Sequence, residues 1–160
     1  MTVNKLCLGT VQFGLHYGIN NKNGKPAQEQ VFAMLDLAVS KGIEYFDTAA
    51  AYGDAELLLG EFIQSRILQD RIKVISKLMP NLINDIYSND QMEETIIGEI
   101  YKSLQRLHIK TLEGYLLHTP TDFYRSGVME GLQKAKKLGL VKNIGVSIYE
   151  TEHALDVVSS

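Results

Sequence analysis

Short apolar runs alternate with longer amphipathic stretches along the whole chain. Each run has three to six residues, the length typical of a buried strand rather than of a helix. The pattern therefore predicts five strands, at Leu6–Leu8, Ile43–Phe46, Ile72–Ser76, Leu112–Leu117 and Asn143–Val146.

The stretches between these strands carry apolar residues at helical spacing. In Gln28–Ser40 they are spaced i, i+3, i+4, i+7 and i+8, which is one face of a helix: Val31, Met34, Leu35, Ala38 and Val39. The same periodicity predicts helices over Asp54–Ser65, Met92–Leu107 and Ser126–Leu138, and another that begins near Thr151. Asp54 is the residue type that favours a helix N-cap.

Regular alternation of strands and helices predicts a parallel sheet with right-handed crossovers. A doubly wound sheet and a (β/α)8 barrel both have this pattern. The first turn, from Gly9 to Gly14, matches neither the dinucleotide-binding glycine fingerprint nor a P-loop. Long polar segments, one running to Lys25-Pro26 and one over Leu78–Asp90, are typical of loops at the mouth of a barrel. We therefore expect an α/β fold of the TIM-barrel class.

Composition and charge exclude several other classes of protein. Sixteen Lys and Arg against 19 Asp and Glu give a net charge of −3 with both signs dispersed, whereas a nucleic-acid partner favours a basic face. No apolar run approaches the about 18 residues of a membrane span, and Met1–Lys5 leads into no long apolar region of the kind found in secretory leaders. We expect a cytoplasmic protein without nucleic-acid or membrane partners. The single cysteine, Cys7, excludes an internal disulfide and is expected to be a small core residue.

Four side chains suited to proton transfer follow the predicted strands. Asp47 and Tyr52 follow the second strand, Lys77 the third and His118 the fourth. The carboxyl ends of parallel barrel strands meet at one mouth, where catalytic groups of such barrels lie. We therefore expect an acid, a phenol, an ammonium and an imidazole to converge on one pocket. No His, Cys and Asp spacing typical of a metal site occurs.

These strand ends resemble those of the aldo-keto reductase family. The matching strings, which run from residue 8 to 147, are Leu8-Gly9-Thr10, Phe46-Asp47-Thr48-Ala49 with Tyr52-Gly53, Ser76-Lys77, Leu116-Leu117-His118 and Ile144-Gly145-Val146-Ser147. The resemblance implies a (β/α)8 barrel that reduces a small-molecule carbonyl, aldehyde or ketone, with NADPH or less often NADH. Residues 1–160 then form the N-terminal part of a single barrel domain, with about five βα units.

The resemblance also implies a role for each of the four residues. Tyr52 is the general acid that protonates the carbonyl oxygen, Lys77 lies beside it, Asp47 pairs with Lys77, and His118 donates a hydrogen bond to the substrate oxygen. The residue types fit that chemistry, because a free phenol has a pKa near about 10 and is a weak acid at neutral pH. A cation about 4 Å away stabilises the phenolate by roughly 4 kcal/mol at an effective dielectric constant near 20.

The implied cofactor contacts are Gly9, Thr10, Asp47 and Ser147. The family usually has Asn after this Ser, where this chain has Ile148, so only Ser147 carries over. A complete barrel takes about 250 residues, whereas this chain reaches only its fifth helix. We therefore expect half of a cofactor site, and self-association of the isolated chain through open sheet edges.

Two other functions remain open on the sequence alone. One is a non-catalytic, reductase-like scaffold or regulatory subunit. The other is a barrel enzyme that uses Asp47 and His118 for proton transfer without a nicotinamide, which leaves Tyr52 and Lys77 unexplained. His16 and Tyr17 lie in the first long loop, either at a substrate mouth or as plain loop residues.

Overall fold

Five parallel strands form one sheet whose spatial order equals their order along the chain. The computed structural model describes residues 6–83 and 86–159. The strands are β1 (Cys7–Gly9), β2 (Tyr45–Asp47), β3 (Lys73–Lys77), β4 (Leu112–Leu117) and β5 (Val141–Val146). The described residues do not include Met1–Lys5, on which the expectation of no secretory leader depends. They also do not include two residues of the predicted Leu78–Asp90 loop.

A helical segment follows every strand. The helices are α1 (Val11–Gly14), α2 (Gln28–Ser40), α3 (Ala55–Arg66), α4 (Asn89–Leu107), α5 (Ser126–Lys137) and α6 (Thr151–Val158), with a 3-10 helix over Pro120–Tyr124. The strand order shows no reversal, whereas a doubly wound sheet reverses at its switch point. The predicted α/β fold, part of a (β/α) barrel, is therefore confirmed over five units. The sequence missed α1 and the 3-10 helix because segments of four and five residues are too short to show a periodicity.

The core lies between the sheet and its helices. Register places Leu8, Phe46 and Val74 side by side on one face of the sheet, and Phe46 and Val74 are buried. The helices cover this face with their apolar stripes, whose fully buried members include Leu35, Leu59, Phe62, Ile96, Ile100 and Leu132. Residues at alternate strand positions point to the opposite face, which becomes the inside of a barrel. Asp47 and Lys77 belong to that second face.

Cys7 is exposed, so its expected place in the core is wrong. It pairs with Tyr45 across β1 and β2, one residue out of step with the core-facing pair Leu8 and Phe46. Because side chains alternate along a strand, Cys7 lies on the barrel-inner face, at the edge strand of the described sheet.

The first turns of two helices also differ from the sequence prediction. Asp54 occupies the predicted N-cap position of α3, but its side chain makes no capping hydrogen bond and instead forms an ion pair with Lys25. Helix α4 begins three residues earlier than predicted, at Asn89. Ser88 Oγ accepts a hydrogen bond from Gln91 N over 3.3 Å, and Gln91 Oε1 accepts one from Ser88 N over 2.9 Å. This reciprocal capping box satisfies amide groups at the helix start before the apolar stripe begins.

Within the described residues, no helix combines the length and apolar character needed to cross a bilayer.

Gly60 allows α3 to pack directly on the end of α4. A Cβ at Gly60 would lie 2.0 Å from the carbonyl oxygen of Arg106, which is backbone and cannot rotate away. Gly98, within α4, has no atom within 4 Å of the same added Cβ. Alanine substitutions at the two positions therefore distinguish the effect of close packing on stability from the effect of helix propensity.

We expect Gly60→Ala to lower the free energy of unfolding by about 1–3 kcal/mol, the usual cost of overpacking. Gly98→Ala is the matched control, and we expect it to raise stability by up to about 1 kcal/mol because alanine is the better helix former. Urea denaturation of both variants measures the difference. Equal effects of the two substitutions would contradict the close contact.

Candidate active site

The four predicted catalytic side chains lie at the carboxyl edge of the sheet. Asp47 is the last residue of β2, Lys77 is the last residue of β3, and His118 follows β4 directly. Tyr52 lies in the turn that leads from β2 into α3. The structure thus brings together residues that are up to 71 positions apart in the chain, as the strand-end pattern predicts.

Lys77 is the centre of this cluster. Its Nζ atom donates to both carboxylate oxygens of Asp47 over 2.7 Å and to the carbonyl oxygen of Thr48 over 3.0 Å. Lys77 is only 5% exposed, whereas the side chain of Asp47 is 34% exposed. A buried ammonium is tolerated only when it is paired and hydrogen-bonded, and the Asp47 carboxylate meets that need.

Tyr52 lies against the same ammonium group. Its hydroxyl oxygen is 3.4 Å from Lys77 Nζ, and the Nζ atom is 5.0 Å from the centre of the ring. Backbone hydrogen bonds hold the turn on both sides, from Tyr52 N to Ala49 O over 3.0 Å and from Ala55 N to Tyr52 O over 3.1 Å. The phenol is therefore fixed beside a cation rather than free on the barrel rim.

A close approach of two backbone segments further restricts the Tyr52 turn. A Cβ at Gly14 would lie 1.6 Å from the carbonyl oxygen of Tyr52. Gly53 has a φ of +55°, and a Cβ there would lie 2.5 Å from the carbonyl oxygen of Gly14. Both positions need glycine, one for space and the other also for its left-handed backbone.

His118 completes the cluster. Its ring meets the ring of Tyr52 edge to face, with centroids 5.8 Å apart and planes at 85°. Burial, followed by the positive charge of Lys77, lowers the pKa of His118 below the ordinary value for histidine, against a smaller opposing effect of Asp47. Its Nδ1 atom is shielded and has no hydrogen-bond partner among the described groups. The ring therefore retains hydrogen-bonding capacity at the site.

The lowered pKa of His118 makes part of the protein's stability depend on pH. The unfolded chain binds a proton at this residue near pH 6.5, whereas the folded state resists it. The stabilising contribution is thus present above pH 6.5 and is lost as the pH falls toward the folded-state pKa. We expect His118→Gln to lose less unfolding free energy than the wild type between about pH 7 and pH 5. Urea denaturation at each pH checks this, and parallel losses would contradict it.

The predicted cofactor contacts flank the cluster on both sides. Gly9 pairs with Asp47 across β1 and β2, and a Cβ at Gly9 would meet no atom within 4 Å. Thr10 is buried, and its Oγ1 atom donates to the carbonyl oxygen of Asp47 over 3.1 Å, so this hydroxyl is used within the fold. Ser147 follows β5, and its backbone amide donates to Leu117 O over 2.8 Å, next to His118.

These groups fit one end of a nicotinamide nucleotide. The open space over Gly9, the half-exposed carboxylate of Asp47 and the unpartnered Nδ1 atom of His118 lie at one edge and offer contacts for a flat, polar ring. Ile148 is half-buried and has no side-chain donor or acceptor, so it supplies none of the polar contact expected of Asn. Among the described residues, the buried Lys77 ammonium bonds to Asp47, Thr48 and Tyr52, so the phosphates need other cations or amides.

His16 and Tyr17 lie in the loop between α1 and α2, and both are exposed. His16 Nε2 is within 3.2 Å of the carbonyl oxygen of Asn21, and Tyr17 O accepts from the side-chain amides of Gln12 and Asn21. These contacts stay within the first loop, and a substrate role for the two residues stays a prediction.

Sequence reasoning missed a buried charge beside the cluster. Glu56, in the first turn of α3, is 1% exposed and pairs with Arg106 from the end of α4. The signal was present, because Glu56, Leu59, Gly60 and Ile63 follow the spacing i, i+3, i+4 and i+7 on one helix face. A charged residue within an apolar stripe indicates a buried partner.

The five parallel βα units and the polar side chains at the carboxyl ends of their strands are those of a (β/α)-barrel protein. The model of the Aldo/keto reductase family matches residues 5–159. The chain belongs to the aldo/keto reductase family.

Relatives and solved structures are similar over most of this chain. A glyoxal reductase from Bacillus subtilis is 30% identical over 132 residues, which are 82% of this chain and 44% of that protein. An NAD(P)H-dependent 6'-deoxychalcone synthase from Glycine max is 29% identical over 139 residues, 76% of this chain and 43% of that protein.

Two solved structures share the fold at higher coverage. A Pseudomonas aeruginosa protein described as an aldo-keto reductase has a TM-score of 0.76 and 28% identity, over 96% of this chain and 59% of its own. An aldo/keto reductase from Klebsiella pneumoniae, in complex with NADP and acetate, has a TM-score of 0.66 and 28% identity, over 92% of this chain and 47% of its own. The chain thus spans less than half the length of the two curated relatives named above.

Proposed function

We propose that this chain carries the catalytic residues of an NAD(P)H-dependent carbonyl reductase that converts aldehydes or ketones to alcohols. The observation that carries the proposal is the position of Lys77. Its ammonium group is buried, paired with Asp47, and 3.4 Å from the hydroxyl of Tyr52. That arrangement favours release of a proton from the phenol, the step that carbonyl reduction requires when the oxygen becomes negative.

Each residue has one role in the proposed reaction. Tyr52 donates its proton to the carbonyl oxygen, and Lys77 stabilises the phenolate that remains. Asp47 fixes the Lys77 ammonium through both of its oxygens, so the cation cannot turn away from Tyr52. His118 is neutral and donates a hydrogen bond to the same carbonyl oxygen, which orients the substrate beside Tyr52.

The reduced nicotinamide nucleotide, when bound, supplies the hydride that the carbonyl carbon receives. Gly9, Asp47 and Ser147 are the residues of this chain that we propose to hold its nicotinamide end, and Thr10 fixes the backbone of Asp47 for that contact. The family and the NADP complex of the Klebsiella pneumoniae protein support NADPH as the first choice. We further propose that residues 1–160 form the first part of one barrel domain.

The geometry argues against proton transfer by Asp47 and His118 without a nicotinamide. Both carboxylate oxygens of Asp47 accept hydrogen bonds from the Lys77 ammonium, so these contacts favour a role in holding that cation over a role as the base. A non-catalytic scaffold has no need for a buried ammonium against a phenol, because burying that charge is costly.

The test uses the polypeptide encoded by the complete open reading frame. NADPH and NADH oxidation is followed by absorbance with a panel of aliphatic and aromatic aldehydes and ketones, and deuterium-labelled cofactor reports where the hydride goes. We expect carbonyl-dependent oxidation with one deuterium on the alcohol carbon. Cofactor binding without turnover on any substrate of the panel would support the scaffold alternative instead.

A further inference from the structure

A chain of buried polar contacts connects the helix behind Tyr52 to the strand that carries Lys77. Glu56 Oε1 accepts a hydrogen bond from Ser76 Oγ over 2.5 Å. Glu56 Oε2 accepts from Arg106, over 2.7 Å from Nε and 2.6 Å from an Nη atom. Arg106 also donates to Ser103 Oγ over 3.2 Å. Glu56, Ser76 and Ser103 are each at most 1% exposed.

Glu56 and Ser76 lie close along the chain to the two residues of the candidate site that they connect. Tyr52 enters from the turn before α3, and Glu56 lies four residues later, in the first turn of that helix. Ser76 immediately precedes Lys77 on β3, and its side chain points to the helix-covered face while that of Lys77 points to the inner face. The Glu56–Ser76 hydrogen bond therefore joins the two elements whose relative position sets the distance between Tyr52 and Lys77.

Arg106 gives the carboxylate one orientation. It takes up one oxygen of Glu56 and leaves the other for Ser76, so neither oxygen is unsatisfied. A carboxylate buried without such partners would be costly, which indicates that the sequence retains this group for its contacts. The negative charge near the start of α3 is also favoured by the helix dipole.

We infer that the Glu56–Ser76 hydrogen bond positions Lys77 against Tyr52, so that Glu56 and Ser76 are positioning residues for the proton-donating pair. The inference rests on the proposed function, in which the Tyr52–Lys77 pair supplies the proton. A longer separation weakens the stabilisation of the phenolate, because the interaction between charges falls with distance. Proton transfer from Tyr52 then becomes slower.

Ser76→Ala removes the link to β3 and leaves the Glu56–Arg106 ion pair in place. Ser103→Ala is its matched control, since it removes a serine hydroxyl of equal burial from the same group of contacts but not from the strand of Lys77. In the complete protein we expect Ser76→Ala to lower kcat about tenfold. We expect Ser103→Ala to change kcat by no more than about twofold, and cofactor affinity to be unchanged in both.

Glu56→Gln tests the hydrogen bond apart from the charge. A Gln amide can accept from Arg106 and donate to Ser76 Oγ, so we expect it to retain more activity than Glu56→Leu, which can do neither. A loss of kcat in Glu56→Gln equal to that in Glu56→Leu would assign the effect to charge and overturn the positioning role.

A spectroscopic readout separates this inference from the proposed function. With 3-fluorotyrosine incorporated, the fluorine resonance of Tyr52 is assigned by its loss in Tyr52→Phe. We expect that resonance to shift in Ser76→Ala and not in Ser103→Ala, whether or not the protein reduces any carbonyl tested. Equal shifts in the two variants, or none in either, would overturn the inference. Absence of carbonyl reduction by the wild type would overturn only the proposed function.

Discussion

Tyr52→Phe is expected to lower kcat for carbonyl reduction by about 10²–10⁴-fold, the usual contribution of a positioned general acid. The substitution removes the hydroxyl that lies 3.4 Å from Lys77 Nζ and leaves the ring against His118. Because the proton is transferred only in the transition state, the affinity for NADPH should change by less than about twofold. Steady-state kinetics and fluorescence titration of the cofactor measure the two effects separately.

The chain contains a matched control for this substitution at the amino ends of the same two strands. Tyr45 begins β2, and its hydroxyl is also 3.4 Å from a lysine Nζ atom, that of Lys73 at the start of β3. Tyr45→Phe therefore removes the same kind of contact at the amino ends of the strands. We expect it to keep kcat within about twofold of the wild type. Equal losses in the two variants would mean that any phenol beside a lysine affects the protein in this way, and would remove the assignment of Tyr52.

The isolated 160-residue chain is expected to self-associate at micromolar concentration. Among the described strands, β1 pairs only with β2 and β5 only with β4, so each has one edge of unpaired backbone groups. If about 300–600 Å² of apolar surface were left open on the inner face, the hydrophobic free energy lost would be about 7–15 kcal/mol. That is comparable with the whole stability of a typical domain, about 5–15 kcal/mol.

Light scattering in reducing buffer measures the mass of the isolated chain. Cys7→Lys places a charge on the edge strand β1, which opposes edge pairing, and we expect it to lower the associated fraction. Leu37→Lys is the control, because Leu37 is 59% exposed on helix α2 and does not belong to an edge strand. A monodisperse monomer with one cooperative thermal transition would contradict the prediction.

Local patterns were sufficient to predict most of the fold. The bounds of α2 match the prediction because its apolar stripe is unbroken. The bounds of β4 also match, because polar residues lie on both sides of its apolar run. The start of α4 was missed because the prediction used the apolar stripe, which begins at Met92. The capping box of Ser88 and Gln91, which sets the start of the helix, lies before that stripe. Asp54 occupies the N-cap position of α3 as predicted, but its side chain pairs with Lys25, 29 positions away, which no local pattern reveals.

The four residues of the candidate site were predicted from their places at strand ends, since parallel strands carry such residues to one edge. Their catalytic roles stay a prediction, as do the cofactor contacts at Gly9 and Ser147. The Glu56–Ser76 contact was beyond the sequence, because it requires knowing that α3 packs on the helix-covered face of β3. The exposure of Cys7 was missed because a three-residue strand is too short to show which alternate positions face the core.

The sequential order of the strands has a consequence for synthesis on the ribosome. Among the described strands, each new strand pairs beside the one made just before it. The buried ammonium of Lys77 finds its counter-ion in Asp47, which emerges 30 residues earlier. At about 5–20 residues per second, that interval is only a few seconds. When Lys77 emerges, the counter-ion for its charge is therefore already present on the nascent chain.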